Sequence, residues 1–561
     1  MDIILKNISS LEKVRTTQEM LSLSEIDSAK VLAGESFSYQ VCGYYGENAD
    51  TSTPYRPYKD DAYVFVDSAL KDYINVYCVK DAIADCVDPH DDDVILTQPG
   101  IVPDILVPLE DQNGRMAISN TVTTLWVDVK VPAGTVPGVY PVKIRMENNL
   151  DRSDVVEKVF DIKVLPAVLP AQSTIYTQWF HVDCIASAHN VEVYSEEHWV
   201  LIEKYMKLAR ELGINMILTP IITPPLDTEW GIKRLCTQLI KIEKCADKYY
   251  FDFTLLDRYI DLAKKCGMEY FEMSHLFSQW GLHFAANIKV KENGVEDYMF
   301  DTRVKSTDPA YGEFLRQMLP ELVKFLKLKE VFDKCFFHIS DEPYDDHLEA
   351  YQFGRDVLAP IIGEDKMMDA MSKVEYYDRG LTKLPVVASN HMEAFLEREI
   401  ENRWGYYCCS QWEKVSNHFL GMPSYRNRII GVQIYKFNLV GFLHWGYNYY
   451  NSQVSRYLIN PYMTSSSDKA FPSGDAFVVY PMKDGPVPSL RAIVFKEALQ
   501  DVDICKKLEG YIGREAVIKM IDEEAGMNVT FKEYPRNSSY VPDLMTKMKE
   551  MIAKYASEEI K

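Results

Sequence analysis

Residues 335–343 read Cys-Phe-Phe-His-Ile-Ser-Asp-Glu-Pro and bring two carboxylates, Asp341 and Glu342, to the end of an apolar run. If that run is a strand, alternation turns Phe337 and Ile339 to one face and His338, Ser340 and Glu342 to the other, and Pro343 stops the ladder. At ~5 Å and an effective dielectric near 20, two ionised carboxylates repel by about 3 kcal/mol. That is roughly two pKa units, enough to keep one of them protonated near neutral pH. One protonated and one ionised carboxyl is the arrangement that cleaves glycosidic bonds. The competing reading is a helix N-terminus capped by Asp-Glu. Asp345 and Asp346 stand closer to that helix and can cap it.

A protein-borne nucleophile would require a further carboxylate, and acids are scarce at the other strand ends. Only Asp183 and Asp369 are available, so the chain is expected to rely on the substrate. A 2-acetamido sugar carries its own nucleophile, the amide oxygen. The enzyme then needs one carboxylate to hold the amide N–H and one to act as acid and base, and Asp341 and Glu342 fit that pair of roles. Trp179, His181, His275, His338, Tyr407, Trp445 and Tyr447 offer flat faces with polar edges suited to pyranose rings. Asp183, Asn390, His391 and Asn448 can bond sugar hydroxyls. His181, His275 and His338 lack metal-ligand spacing, and no CxxC or HExxH occurs, so neither metal nor cofactor is expected.

These residues must be held by something, and the 561-residue chain supplies a rhythm for it. Up to about residue 165 short alternating runs such as 37–41, 62–66, 125–131 and 140–144 are separated by Pro/Gly turns, which predicts a β-sandwich. Leu165-Pro166-Ala167-Val168-Leu169-Pro170 forms a stiff junction. Eight strand-like runs follow, at 175–181, 216–221, 270–276, 336–341, 367–372, 386–390, 405–410 and 442–448. Helical patterns at 197–212, 255–266, 311–328, 346–362 and 392–402 lie between them. The fold is expected to be α/β plus β: a sandwich over 1–168, a (β/α)8 TIM barrel over 169–500 and a helical region over 501–561 that packs on the barrel. Insertions are expected at 223–252 and 278–310, and amphipathic helices near 491–511, 514–524 and 541–556.

Composition narrows the partners. With 61 basic against 83 acidic residues and a net charge of −22, nucleic acid is a poor ligand. No apolar run reaches the length of a membrane span, so membrane insertion is not expected. The first residues, MDIILKNISSLEKVR, do not read as a secretory leader, and the expected location is cytoplasmic. Eleven cysteines, an odd number with Cys408 and Cys409 adjacent, do not suggest a disulfide framework. The run Asp91-Asp92-Asp93 reads as a solvated loop.

The peptide 338–343, the sandwich-then-barrel order, the eighth run Gly441-Phe442-Leu443-His444-Trp445-Gly446-Tyr447-Asn448, and the tail carrying Pro472-Ser473-Gly474-Asp475 and 489–501 together resemble glycoside hydrolase family 123. The resemblance implies a retaining β-N-acetylgalactosaminidase working by substrate-assisted catalysis on terminal β-linked N-acetylgalactosamine of glycans such as glycosphingolipid head groups. By motif, Asp341 resembles the residue that orients the acetamido group and Glu342 the general acid/base. Two other readings remain: a barrel glycosidase for non-acetamido sugars using Asp183 or Asp369, and a non-catalytic carbohydrate-binding protein whose sandwich holds the glycan.

Overall fold

The computed structural model describes residues 3–45, 61–87, 90–91, 93–118, 121–344 and 347–559. Asp92, Asp345 and Asp346 lie outside the described residues. The chain forms two compact units, Met1–Ser173 with Glu413–Lys436 and Val487–Lys561, and Thr174–Trp412 with Phe437–Pro486.

In the first unit the strands make two five-stranded sheets. One runs Ile3–Ser9, Ser36–Tyr45, Thr123–Lys130, Ile74–Ala84, Gly100–Pro108; the other runs Ser28–Ala33, Val155–Val168, Gly138–Asn148, Asp61–Asp67, Arg115–Ala117. Every pair is antiparallel except Ser28–Ala33 with Val155–Val168. Their inward residues, among them Tyr39, Val41, Val127, Ile144 and Phe160, share one apolar core, with the Tyr39 and Phe160 rings stacked at 4.1 Å. The helices Leu490–Ile512, Arg514–Ala525 and Tyr540–Glu559 also belong to this unit. Ser489 caps the first by accepting from Ala492 N–H at 3.2 Å. Gly513 and Gly526, at φ +82° and +65°, end the first two.

One expectation fails here. Asp91 is not solvated but buried against Arg426 at 2.7 Å, and Asp93 accepts the Tyr425 hydroxyl at 2.6 Å. The segment Glu413–Lys436 delivers a fully buried guanidinium, and a paired acid can be buried where a lone one cannot.

The second unit is the barrel. Its strands are Ile175–Gln178, Met216–Thr219, Tyr270–Met273, Cys335–Phe337, Met368–Met371, Leu384–Ala388, Trp404–Tyr406 and Gly441–His444. They pair in parallel in chain order, first to eighth, and the parallel bridge Phe337–Met367 joins the fourth to the fifth. Nearly every strand residue is buried, as expected where side chains fill one face of the sheet and helices cover the other. The two insertions form one feature: Lys241–Cys245 with Lys248–Asp252 and Ile288–Glu292 with Val295–Phe300 join into a four-stranded sheet. Among the described residues no helix is long and apolar enough to cross a membrane.

Candidate active site

The fourth barrel strand stops at Phe337, and three of the next five residues find N–H partners outside the ladder. Asp369 Oδ1, from the fifth strand, accepts the N–H groups of Ile339 at 3.0 Å and Ser340 at 3.2 Å. The Ser340 hydroxyl donates to Ser278 O at 3.1 Å, and Glu342 N–H donates to Ala370 O at 3.1 Å. Ile339 packs outward over Gly354, where a Cβ would approach its Cγ2 to 2.7 Å, so the expected alternation holds that far. It then breaks: Glu342 sits at φ +43°, a left-handed conformation that L-residues adopt at a cost of about 1–2 kcal/mol. That kink brings Asp341 and Glu342, adjacent in sequence, into the wall of one cavity.

The cavity encloses about 550 Å3 including its mouth. Trp179, Trp280, Tyr407, Trp445 and Phe471 give it aromatic walls, and Asp227 and Gln279 add polar groups. Each central carboxylate has one oxygen committed to the protein. Glu342 Oε1 accepts the Tyr406 hydroxyl at 2.6 Å, with the Cys408 thiol 4.0 Å away at the same oxygen. Asp341 Oδ2 accepts from Gln279 Nε2, and Gln279 is oriented because its Oε1 takes the Asp227 backbone N–H. Burial raises both carboxyls, Asp341 to about 8 with Glu342's charge contributing, while the Tyr406 hydrogen bond restrains Glu342. The pair therefore holds a proton at neutral pH.

Beneath the pair lies a buried polar layer. Glu272 accepts the Trp179 indole N–H at 2.7 Å and the Thr177 hydroxyl at 2.6 Å, which fixes the Trp179 ring in the wall. His338 bridges Glu272 Oε1 at 2.6 Å and Asp369 Oδ1 at 3.2 Å, and His275 stacks on it with centroids 4.0 Å apart. His275, His338 and Asp369 are close enough to suggest a metal site. The arrangement does not fit one: both His338 nitrogens already face carboxylates, and two imidazoles stacked within 12° of parallel cannot converge their in-plane lone pairs.

Of the residues expected at the site, Trp179, Asp341, Glu342, Tyr407 and Trp445 line the cavity. Asp475 sets Trp445, accepting its indole N–H at 2.9 Å. His275 and His338 belong to the buried layer beneath the pair, and most of the others hold loops in place. Asp183 receives Arg234 through two contacts of 2.7 Å, and Arg234 also reaches His181 Nδ1 at 3.1 Å. His181 is therefore the tautomer that donates from Nε2 to Trp445 O at 3.0 Å; burial and then Arg234 hold it down at about 3. Asn448 clamps His181 through both its backbone N–H and C=O. Tyr447 donates to Tyr205 O at 3.0 Å and stacks on Phe180. Asn390 accepts from Gln411 at 3.1 Å, and His391 is exposed in a short 3-10 turn. The sequence reading missed Asp227, Gln279, Trp280 and Tyr406, which come from insertions or from the last residue of a strand.

Residues 179–508 match the family model of the glycoside hydrolase 123 catalytic domain. Among solved structures, a family 123 glycoside hydrolase from Clostridium perfringens, studied for glycolipid glycan hydrolysis, shares the fold with a TM-score of 0.75. Its identity is 15%, and the match covers 100% of both chains. β-Glucuronidase 2 of Bacteroides uniformis reaches a TM-score of 0.31 at 10% identity, covering 80% of this chain and 47% of that one. A family 39 glycoside hydrolase of Bacteroides cellulosilyticus reaches 0.33 at 9%, covering 85% and 81%. No curated protein matches the sequence significantly.

Proposed function

The chain belongs to glycoside hydrolase family 123, and from that premise we propose that it releases terminal β-linked N-acetylgalactosamine from glycans, glycolipid oligosaccharides among them, with retention and with the substrate's acetamido oxygen as nucleophile. The observation that supports this most is the pairing of Asp341 and Glu342 in one cavity wall, each with one oxygen held by the protein and one left for a ligand. The acids that a protein-borne nucleophile would draw on, Asp183 and Asp369, are bound to Arg234 and to His338 with the 339–340 amides.

In the proposed cycle the acetamido N–H donates to Asp341 Oδ1. That bond favours the ionised carboxyl and shifts the shared proton to Glu342. The amide oxygen then attacks the anomeric carbon while Glu342 Oε2 gives its proton to the departing glycosidic oxygen. An oxazolinium ion forms, and the Asp341 charge stabilises it beside walls that exclude water. Glu342, now ionised, takes a proton from water as that water opens the ring at the anomeric carbon. Two inversions give net retention.

The test compares aryl β-N-acetylgalactosaminide with aryl β-galactoside, which differ only at carbon 2. Cleavage of the first alone is expected. Comparable cleavage of both would overturn the substrate-assisted reading and turn attention to Asp227, the remaining acid in the cavity wall.

A further inference from the structure

Below Asp341 and Glu342 is a charged layer that the proposed cycle does not use. The donors around it settle where its protons lie. Glu272 Oε1 already accepts the Trp179 indole N–H, and Asp369 Oδ1 already accepts two backbone N–H groups. Each of these oxygens therefore faces His338 as an acceptor. A neutral imidazole has a single N–H, yet both His338 nitrogens point at such an oxygen, so both must donate. The neighbouring ring, His275, carries no charge: burial and then the His338 charge keep it well below its ordinary range. Two stacked imidazoles thus hold one positive charge between them.

We propose that His338 is a positioning residue whose imidazolium ties Glu272 to Asp369, and through them fixes both the Trp179 wall and the 339–342 peptide that presents the reacting pair. The connection is short on each side. Glu272 orients the Trp179 ring directly, and Asp369 holds the two amides that immediately precede Asp341. Tyr351 secures the other Asp369 oxygen at 2.7 Å, and Thr177 secures the other oxygen of Glu272. The groups that face the His338 ring are Glu272, Asp369, His275 and the Trp179 edge, and its charge also draws the Asp341 carboxyl downward. Removing that charge therefore does two things that loss of packing alone would not: it leaves two buried carboxylates facing each other, and it makes Asp341 harder to ionise.

The inference rests on Asp341 and Glu342 being the reacting pair, and its test separates the two claims. With aryl β-N-acetylgalactosaminide, His338→Gln should lower kcat about a hundredfold, the loss typical of an ångström-scale misplacement, with KM within about threefold. The acid limb of its kcat/KM profile should move up by roughly one pH unit, because Asp341 then ionises later. Glu272→Gln combined with His338→Gln removes one bare carboxylate and restores an unbroken donor–acceptor chain, so it should recover about tenfold of the lost kcat. A neutron structure of deuterated wild-type crystals above neutral pD should show deuterium on both ring nitrogens of His338. One deuteron only, or His338→Gln with wild-type kcat and an unmoved acid limb, would overturn the proposal. The neutron map decides it on wild-type protein even where the variant does not fold. A wild-type protein inert toward the aryl substrate would refute the reading of the pair and leave the neutron result to judge His338.

Discussion

The hydroxyl of Tyr406 gives the sharpest handle on Glu342, the proposed acid/base. It donates to Glu342 Oε1 at 2.6 Å from the last position of the seventh barrel strand, and the ring itself is buried. Tyr406→Phe keeps the ring and deletes that donor. The Cys408 thiol, 4.0 Å from the same oxygen, is too weak a donor to replace it. A hydrogen bond to an ionised acceptor is worth about 1.5–3 kcal/mol, which corresponds to roughly one to two pKa units. The bond favours the ionised form, so its loss raises the Glu342 carboxyl beyond where burial has already lifted it. Asp341 and Glu342 titrate as a pair, with Asp341 pushed up to about 8, so the upper apparent value of the pair moves up too.

The assay is the pH profile of kcat/KM on an aryl and on a natural glycoside. The wild-type profile should be bell-shaped, falling on the acid side when both carboxyls are protonated and on the alkaline side when the shared proton is lost. In Tyr406→Phe the alkaline limb should move up by about one unit. Activity at neutral pH should drop about three- to tenfold because a weaker acid drives departure, and the natural glycoside should lose more than the aryl one. The ratio of variant to wild type should then climb with pH. A profile scaled down with both limbs in place would refute the reasoning and leave Tyr406 a packing residue; a limb displaced downward would show the sign to be wrong.

Glu342→Gln should cost at least about a thousandfold on natural glycosides yet spare the first step of substrates with good leaving groups; equal losses on both would remove its acid role. Asp475→Ala frees the Trp445 indole and the buried His444 from their shared acceptor. KM should rise about tenfold with kcat little changed, and an unaltered KM would show that the Trp445 face does not bind the sugar. Arg234→Met strands Asp183, whose side chain is 8% exposed, without its partner. Denaturant unfolding should report a loss of about 3–5 kcal/mol that Asp183→Asn largely reverses, and a stability equal to wild type would refute the importance of that pair.

What the sequence could reveal depended on whether a residue's role followed from strand periodicity. All eight barrel strands were legible as apolar runs, and Asp341-Glu342 stood out because a strand end is where a barrel exposes chemistry. His181, Asp183 and Asn448 also follow strand ends, but the chain turns at once into the helix Val182–His189, and their side chains fold back to clamp that turn. Tyr406 is the last residue of its strand and Tyr407 the first beyond it; only the exact last ladder residue decides which hydroxyl meets Glu342, and boundaries are what periodicity fixes worst. Gln279 and Asp227 sit in insertions with no period, 52 residues apart, and nothing in either segment announces that the amide of one orients on the backbone of the other.

The distribution of buried acids supports the proposed substrate-borne nucleophile. Asp183 faces Arg234, Asp369 faces His338, and Asp475 serves Trp445 and His444. Asp227, the third acid in the wall, accepts at Oδ2 from the Tyr449 hydroxyl and the Val454 amide, and burial raises its carboxyl. Asp341 and Glu342 are left to share a proton and contribute a single negative charge. A further ionised carboxylate poised as nucleophile at ~5 Å would add about 3 kcal/mol of repulsion toward an ionised neighbour and raise the pair again, leaving the pair itself without an ionised member at neutral pH. The oxazolinium ion requires only one negative charge at the amide and one group that can give and then take a proton. That is the charge the cavity can hold, and it follows from which acids the barrel has turned toward partners.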